Sequence, residues 1–179
     1  ALEFGTVSSD FVKLANGTVT SSTGSVSIDG YFNDSTYGTY KLFIHDWRTT
    51  SGGEARIRVN VGGSPVSSGN IYTSGGSGVG NQGNGTAWTG DRADSTNANQ
   101  SHLDQTWTLR SDTNYQGFNY DFTIHKPQNT YTHKNLYWRH SFMYGSNTHV
   151  GSGYMAMRIE TSSALTGFTF FQSADNIAN

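Results

Sequence analysis

Thr39-Tyr-Lys-Leu-Phe-Ile-His-Asp-Trp-Arg48, a Thr-Thr-Ser-Gly-Gly break at 49–53, and Glu54-Ala-Arg-Ile-Arg-Val-Asn-Val61 carry the plan of this chain. Side chains alternate across an extended strand, so Tyr40, Leu42 and Ile44 share one face of the first run, and Lys41, Phe43, His45 and Trp47 the other. In the second run Ile57, Val59 and Val61 alternate with Arg56, Arg58 and Asn60, the pattern of a half-buried strand. With Ser51-Gly52-Gly53 between them, the simplest reading is an antiparallel hairpin in an all-β chain.

The same grammar extends in both directions. Upstream, residues 1–10 read as an arm or connector. Phe11-Val-Lys-Leu-Ala15 reads as a short strand, Asn16-Gly17 as a hairpin turn, Thr18-Val-Thr20 as its return and Ser25-Val-Ser-Ile28 as an edge-like strand. Downstream, 62–101 is rich in Gly, Ser, Asn and Thr. It is either a long functional loop or a region of short strands hidden by composition, with Gly75 to Gly85 flexible for want of side chains.

Trp107 and Leu109 resume the alternation. Phe118, Tyr120, Phe122 and Ile124 against Asn119, Asp121, Thr123 and His125 form the cleanest half-buried strand, ended by Pro127, which has no amide for a ladder. Leu136 to Tyr144, Tyr154 to Ile159 and Leu165 to Phe171 supply further strands. No segment has a helical period. The expectation is a single-domain antiparallel β-sandwich of jelly-roll type over 11–179, carrying the 62–101 loop.

Composition narrows the function classes. The chain has 179 residues, enough to bury one core, and no cysteine, which excludes a disulfide-stapled scaffold and cysteine-ligated metal. Charged residues are 13% of the chain and aromatics also 13%, a balance that suits strands joined by polar turns. A net charge of -2 offers no basic field for nucleic acid. No apolar run approaches the roughly 18 residues of a membrane span, so membrane insertion is not expected.

At the C-terminal end, Gly167-Phe-Thr-Phe-Phe-Gln-Ser-Ala-Asp-Asn-Ile-Ala178 resembles the ending of a module recurrent in structural proteins of tailed bacteriophages, especially marine and cyanobacterial phages. Ser35-Thr-Tyr-Gly-Thr-Tyr-Lys-Leu-Phe-Ile44 is similar to its Tyr-x-x-Tyr-Lys-Leu strand, and Ala55-Arg-Ile-Arg-Val59 to its following Leu-Arg-Leu-Arg strand. Phe11-Val-Lys-Leu-Ala15 through Val26-Ser-Ile28 resembles its first strands, so the likeness covers nearly the whole chain. Similar modules continue after Asn-Ile-Ala with a Gly-Thr and an apolar strand, whereas this sequence ends at Asn179. The resemblance implies a non-enzymatic virion component such as a fibre, spike, tail appendage or capsid decoration. Its partners would be other virion proteins, further copies of itself in a homo-oligomer such as a trimer, and a host-surface glycan. It implies no catalytic residue and no cofactor.

The residues themselves leave other chemistries to weigh. Of the six histidines, His45, His102, His125, His133, His140 and His149, none is close to another in the spacing of a compact metal site, and surface or hydrogen-bonding roles account for them. Asp91, Asp94 and Asp104 could gather calcium, although Asx turns in a polar loop are the simpler account of them. A glycan hydrolase needs two converging carboxylates. Among Asp46, Glu54, Asp121 and Glu160, Asp121 alone sits in an aromatic strand run. Aromatics outside the core could stack on sugars in a lectin-like, carbohydrate-binding module, the alternative to a purely structural role. The candidate glycan platform is Trp88, Tyr72, Tyr115 and Trp138, with Trp47, Tyr131 and Tyr137 behind them.

Overall fold

In the computed structural model, residues 11–48, 52–69, 71–82, 87–93, 101–103, 109–110, 117–144, 149–173 and 176–177 are described. The 1–10 arm lies outside them. The strands are β1 (Ser25–Asp29), β2 (Thr39–Trp47), β3 (Gly52–Gly53), β4 (Ala55–Val61), β5 (Ser64–Pro65), β6 (Tyr72–Gln82) and β7 (Ala87–Ala93). They continue as β8 (Ser101–His102), β9 (Leu109–Arg110), β10 (Phe118–His125), β11 (Lys134–Tyr144), β12 (His149–Ile159) and β13 (Gly167–Gln172), with no helix among the described residues. One sheet has six strands in the order β2-β10-β11-β12-β6-β7. A second runs β1-β13-β4-β5, with β8 also beside β4, and β3 pairs with β9. All these pairings are antiparallel. The expected all-β sandwich is therefore the fold.

Alternation builds the interior. Tyr120, Phe122 and Ile124 of β10, Leu136 and Trp138 of β11, and Met155, Met157 and Ile159 of β12 are buried, facing Ile57, Val59, Phe168 and Phe170 of the other sheet. The sheets meet ring to ring, with Phe170 lying 5.5 Å from Phe122 and 6.0 Å from Trp47 between centroids. Such contacts add about 0.5–1.5 kcal/mol each beyond the area they bury. Leu103 fills the core from the 101–103 segment, which is anchored by its own N–H donating to Ala55 O (2.9 Å) and by Trp138 Nε1 donating to Leu103 O (2.8 Å). Lys134 is buried, and its ammonium donates to Thr161 O (2.8 Å) and Ser163 O (2.6 Å), tying down the β12–β13 connection. Burial holds its pKa below the usual lysine value.

Several sequence expectations change. β2 and β4 do not form a hairpin: β2 pairs with β10 in the six-stranded sheet, and β4 with β13 in the other. β2 and β4 therefore lie in different layers, and Gly52–Gly53, read as a turn, instead ladder with Leu109–Arg110. The face of Trp47 is reversed for a local reason. Between Ile44 and Trp47 the chain advances three positions while its partner goes from Tyr120 to Phe118, only two, so β2 carries a one-residue bulge. Asp46, with φ 58°, takes up the extra residue, and Trp47 turns into the core.

Residues 11–20 form no strand, so the Asn16-Gly17 hairpin is absent. The expected strand at 25–28 is β1, an edge strand whose backbone ladder among the described residues is with β13 alone. Much of the 62–101 stretch is not loop, because it contributes β5, β6 and β7. β6 pairs with β12 along its whole length, from Tyr72 opposite Ile159 to Gln82 opposite His149. Its glycines permit that approach. A Cβ on Gly76 would collide with the Tyr154 carbonyl oxygen and come within 2.6 Å of Met155 Cγ.

Candidate functional site

The outer face of the six-stranded sheet follows from the parity that fills the core. Residues between the buried positions point outward, and pairing places them in rows across the strands. One row runs Phe43, Asp121, Arg139, Tyr154 and Ser77, each opposite the next in β2, β10, β11, β12 and β6. The next row along includes Asn119, Ser141, Ser152 and Val79. Together with Tyr120, His140 and Gly153, these rows line an open groove of about 600 Å³.

This face leaves large apolar groups in water. Tyr154 is 62% exposed, Phe43 54% and Tyr137, two residues along β11 from Arg139, 48%. His45 stacks parallel to Phe43, at 6.5 Å and 6° between planes, and Lys41 Nζ stands 5.9 Å from the same ring. With strands about 4.8 Å apart, the backbones of Phe43 and Tyr154, three strands apart, are separated by roughly 14 Å. That span suits an extended ligand.

The charged groups between the rings make no hydrogen bond with the described protein. The Asp121 carboxylate has no hydrogen bond among the described residues, its nearest cation being Lys41 Nζ at 4.0 Å from Oδ1. Arg139, directly opposite, is exposed and has neither a hydrogen bond nor an ion pair among the described residues. The outer face of the second sheet is different. There Asn60 Nδ2 donates to Ser27 Oγ (2.9 Å) and Asp29 Oδ1 (3.0 Å), Thr169 Oγ1 donates to Asn60 Oδ1 (2.7 Å), and Arg58 covers the Phe171 ring at 4.4 Å. One outer face satisfies itself, and the other presents its groups to solvent.

No protein-family model, curated protein or solved structure matches this chain.

The sequence-proposed platform is redistributed. Tyr72 is 1% exposed, its hydroxyl accepting from Val59 N (3.0 Å) and donating to Val66 O (3.1 Å). Trp138 is 2% exposed, and neither ring has a free face for a sugar. Trp47 is likewise buried. The Trp88 backbone is in β7, but its side chain and the whole of Tyr115 lie outside the described residues. Tyr137 is on the open face, while Tyr131 stands almost wholly exposed in the β10–β11 connection. Phe43, Tyr154 and Arg139 were missed as binding residues, although the outward parity of Phe43 was legible in the alternation of its strand.

The remaining candidates separate by partner. Asp46 bridges Arg48 (2.6 Å), Glu54 bridges Arg56 (2.6 Å), and Glu160 pairs with Arg158, which keeps its carboxyl below the ordinary range. Asp94 and Asp104 lie outside the described residues, as does the side chain of Asp91. His45, His125 and His133 are exposed, and His125 Nδ1 lies 2.8 Å from Thr39 Oγ1. The side chains of His102 and His149 are not among those described. Among the described residues no three His, Asp or Glu side chains gather as a metal site. His140 is buried between Tyr120 and Phe142, its Nδ1 without a hydrogen-bond partner among the described residues, and burial lowers its pKa to about 4.

Proposed function

We propose that this chain is a non-enzymatic binding component of a tailed-phage particle, holding a host-surface saccharide on the open face of its six-stranded sheet. The observation that carries the reading is the single outward row in which Phe43 and Tyr154 flank Asp121 and Arg139, neither hydrogen-bonded to the described protein. Rings exposed on a regular sheet face suit stacking against the apolar face of a sugar, and hydroxyl-bonding groups lie between them. Protein interface cores are generally depleted in Asp and Ser, so Asp121, Ser141 and Ser152 at the centre of the face favour a hydroxyl-rich ligand over another protein. The particle context is supported by the resemblance of the C-terminal and central strands to phage structural modules.

Assembly with other virion proteins, and with copies of the chain in a closed oligomer such as a trimer, would cover the edge strands β1 and β2. Binding of the purified chain to polysaccharide from host cells tests the ligand. The double substitution Phe43→Ala with Tyr154→Ala is expected to weaken binding about tenfold or more, from stacking contributions of about 0.5–1.5 kcal/mol per ring. Unchanged binding would remove this face from the proposal. The same face would equally serve a carbohydrate-binding module working apart from a particle. Detection of the chain in purified virions, and sedimentation as an oligomer, separates the two, since a monomer absent from particles leaves only the free module.

A further inference from the structure

We propose that Asp121 and Arg139 set the ligand class of this face: a neutral saccharide chain with adjacent free hydroxyls, lying across the strands from Phe43 towards Tyr154. The inference rests on the saccharide-binding reading and adds what the saccharide is. Asp121 and Arg139 are direct cross-strand partners, so their Cβ atoms stand about 5 Å apart on the same face. An ionised carboxylate only accepts hydrogen bonds and a guanidinium only donates them. Two neighbouring hydroxyls on one sugar ring meet both demands: one donates to Asp121, and the other accepts from Arg139. Neither side chain forms a hydrogen bond within the described protein; Asp121 Oδ1 is buried towards Lys41, which leaves Oδ2 as the acceptor for a ligand beside the exposed Arg139 guanidinium.

Charge selects against the acidic alternative. Arg139 taken alone would suit a carboxylate or sulfate, but an anionic group there would lie beside the Asp121 carboxylate. Among the described residues, the other titratable groups lining or flanking the groove are Lys41 and His45 on β2, the buried His140 on β11, and the phenols of Tyr120 and Tyr154. Lys41 stands towards Asp121, leaving no concentrated positive field. Asn119, Ser141 and Ser152, in the adjacent row, are neutral groups suited to further hydroxyls. Rings at the two ends of the charged pair provide stacking surfaces along the same line.

The test is calorimetric titration of the full chain with neutral mannose and galactose oligomers and with oligogalacturonate and sulfated galactan oligomers. Amide-shift mapping on β2, β10, β11 and β12 locates the bound sugar. A neutral oligomer is expected to bind at least tenfold more tightly than any acidic one and to shift this face. Asp121→Asn and Arg139→Gln, both on solvent-facing positions, are each expected to weaken it by about tenfold, as for loss of a charge-assisted hydrogen bond. If acidic oligomers bind this face more tightly, and Asp121→Asn strengthens them, the neutral assignment is overturned while saccharide binding stands. If no oligomer shifts the face, both proposals fall. The neutral-to-acidic ratio of the unmodified protein decides the matter without either variant.

Discussion

Gly76→Val unfolds the sandwich or detaches its outer strands. The position lies opposite Met155, where any Cβ meets the Tyr154 carbonyl and Met155 Cα (2.8 Å), so the obstacle is backbone that cannot turn aside. Relief requires β6 to move away from β12, breaking the ladder that joins β6 and β7 to the rest of the sheet. Overpacking of a tight interior costs about 1–3 kcal/mol, and obstruction by main chain lies at or beyond the upper end. Urea unfolding should show a loss of about 3 kcal/mol or more. Gly38→Ala provides the control, because nothing lies within 4 Å of a Cβ there, and its effect should be near neutral. A Gly76→Val protein as stable as its parent would mean that β6 does not pair as described.

Acid weakens the fold through His140. The ring is buried against Tyr120 and Phe142 with a pKa lowered to about 4 by desolvation, against an ordinary value of about 6.5. Above that ordinary value the ring is neutral in both the folded and unfolded chain, and it contributes no pH dependence. Between about 6.5 and about 4 the unfolded chain takes up a proton that the folded chain refuses, so stability falls as pH falls. Integrated over that window the loss is about 3 kcal/mol, and below it the contribution is constant. His140→Phe should flatten this part of the stability profile while keeping the ring packing. The measurement is unfolding free energy at closely spaced pH values for both proteins. Parallel profiles would show that His140 is not the group responsible.

These two residues also illustrate what could be read in advance. The histidine lies on a strand whose two parities both hold aromatics: Trp138 and Phe142 on one, Tyr137 on the other. Neither alternation nor composition says which set faces the core, so Trp138 was placed on the binding surface, when Tyr137 and Arg139 are the residues that reach it. Gly76 belongs to a strand with almost no side chains, and side-chain period is the only local sign of a strand. A stretch of glycine and serine therefore reads as loop, although backbone hydrogen bonding pairs it along its full length.

The sequence by itself determined the all-β class, the identity of β10, β4 and β13, the stop at Pro127, and the outward parity of Phe43, His45 and Asp121, because alternation is a local property of each strand. Only the tertiary structure decided the partners: β2 with β10 and β4 with β13, the bulge that turned Trp47 inward, and the row that joins Phe43 to Tyr154 through Asp121 and Arg139. Strand pairing brings together residues distant in the chain, and its register is set by how both layers fill one core, which no short stretch of sequence contains.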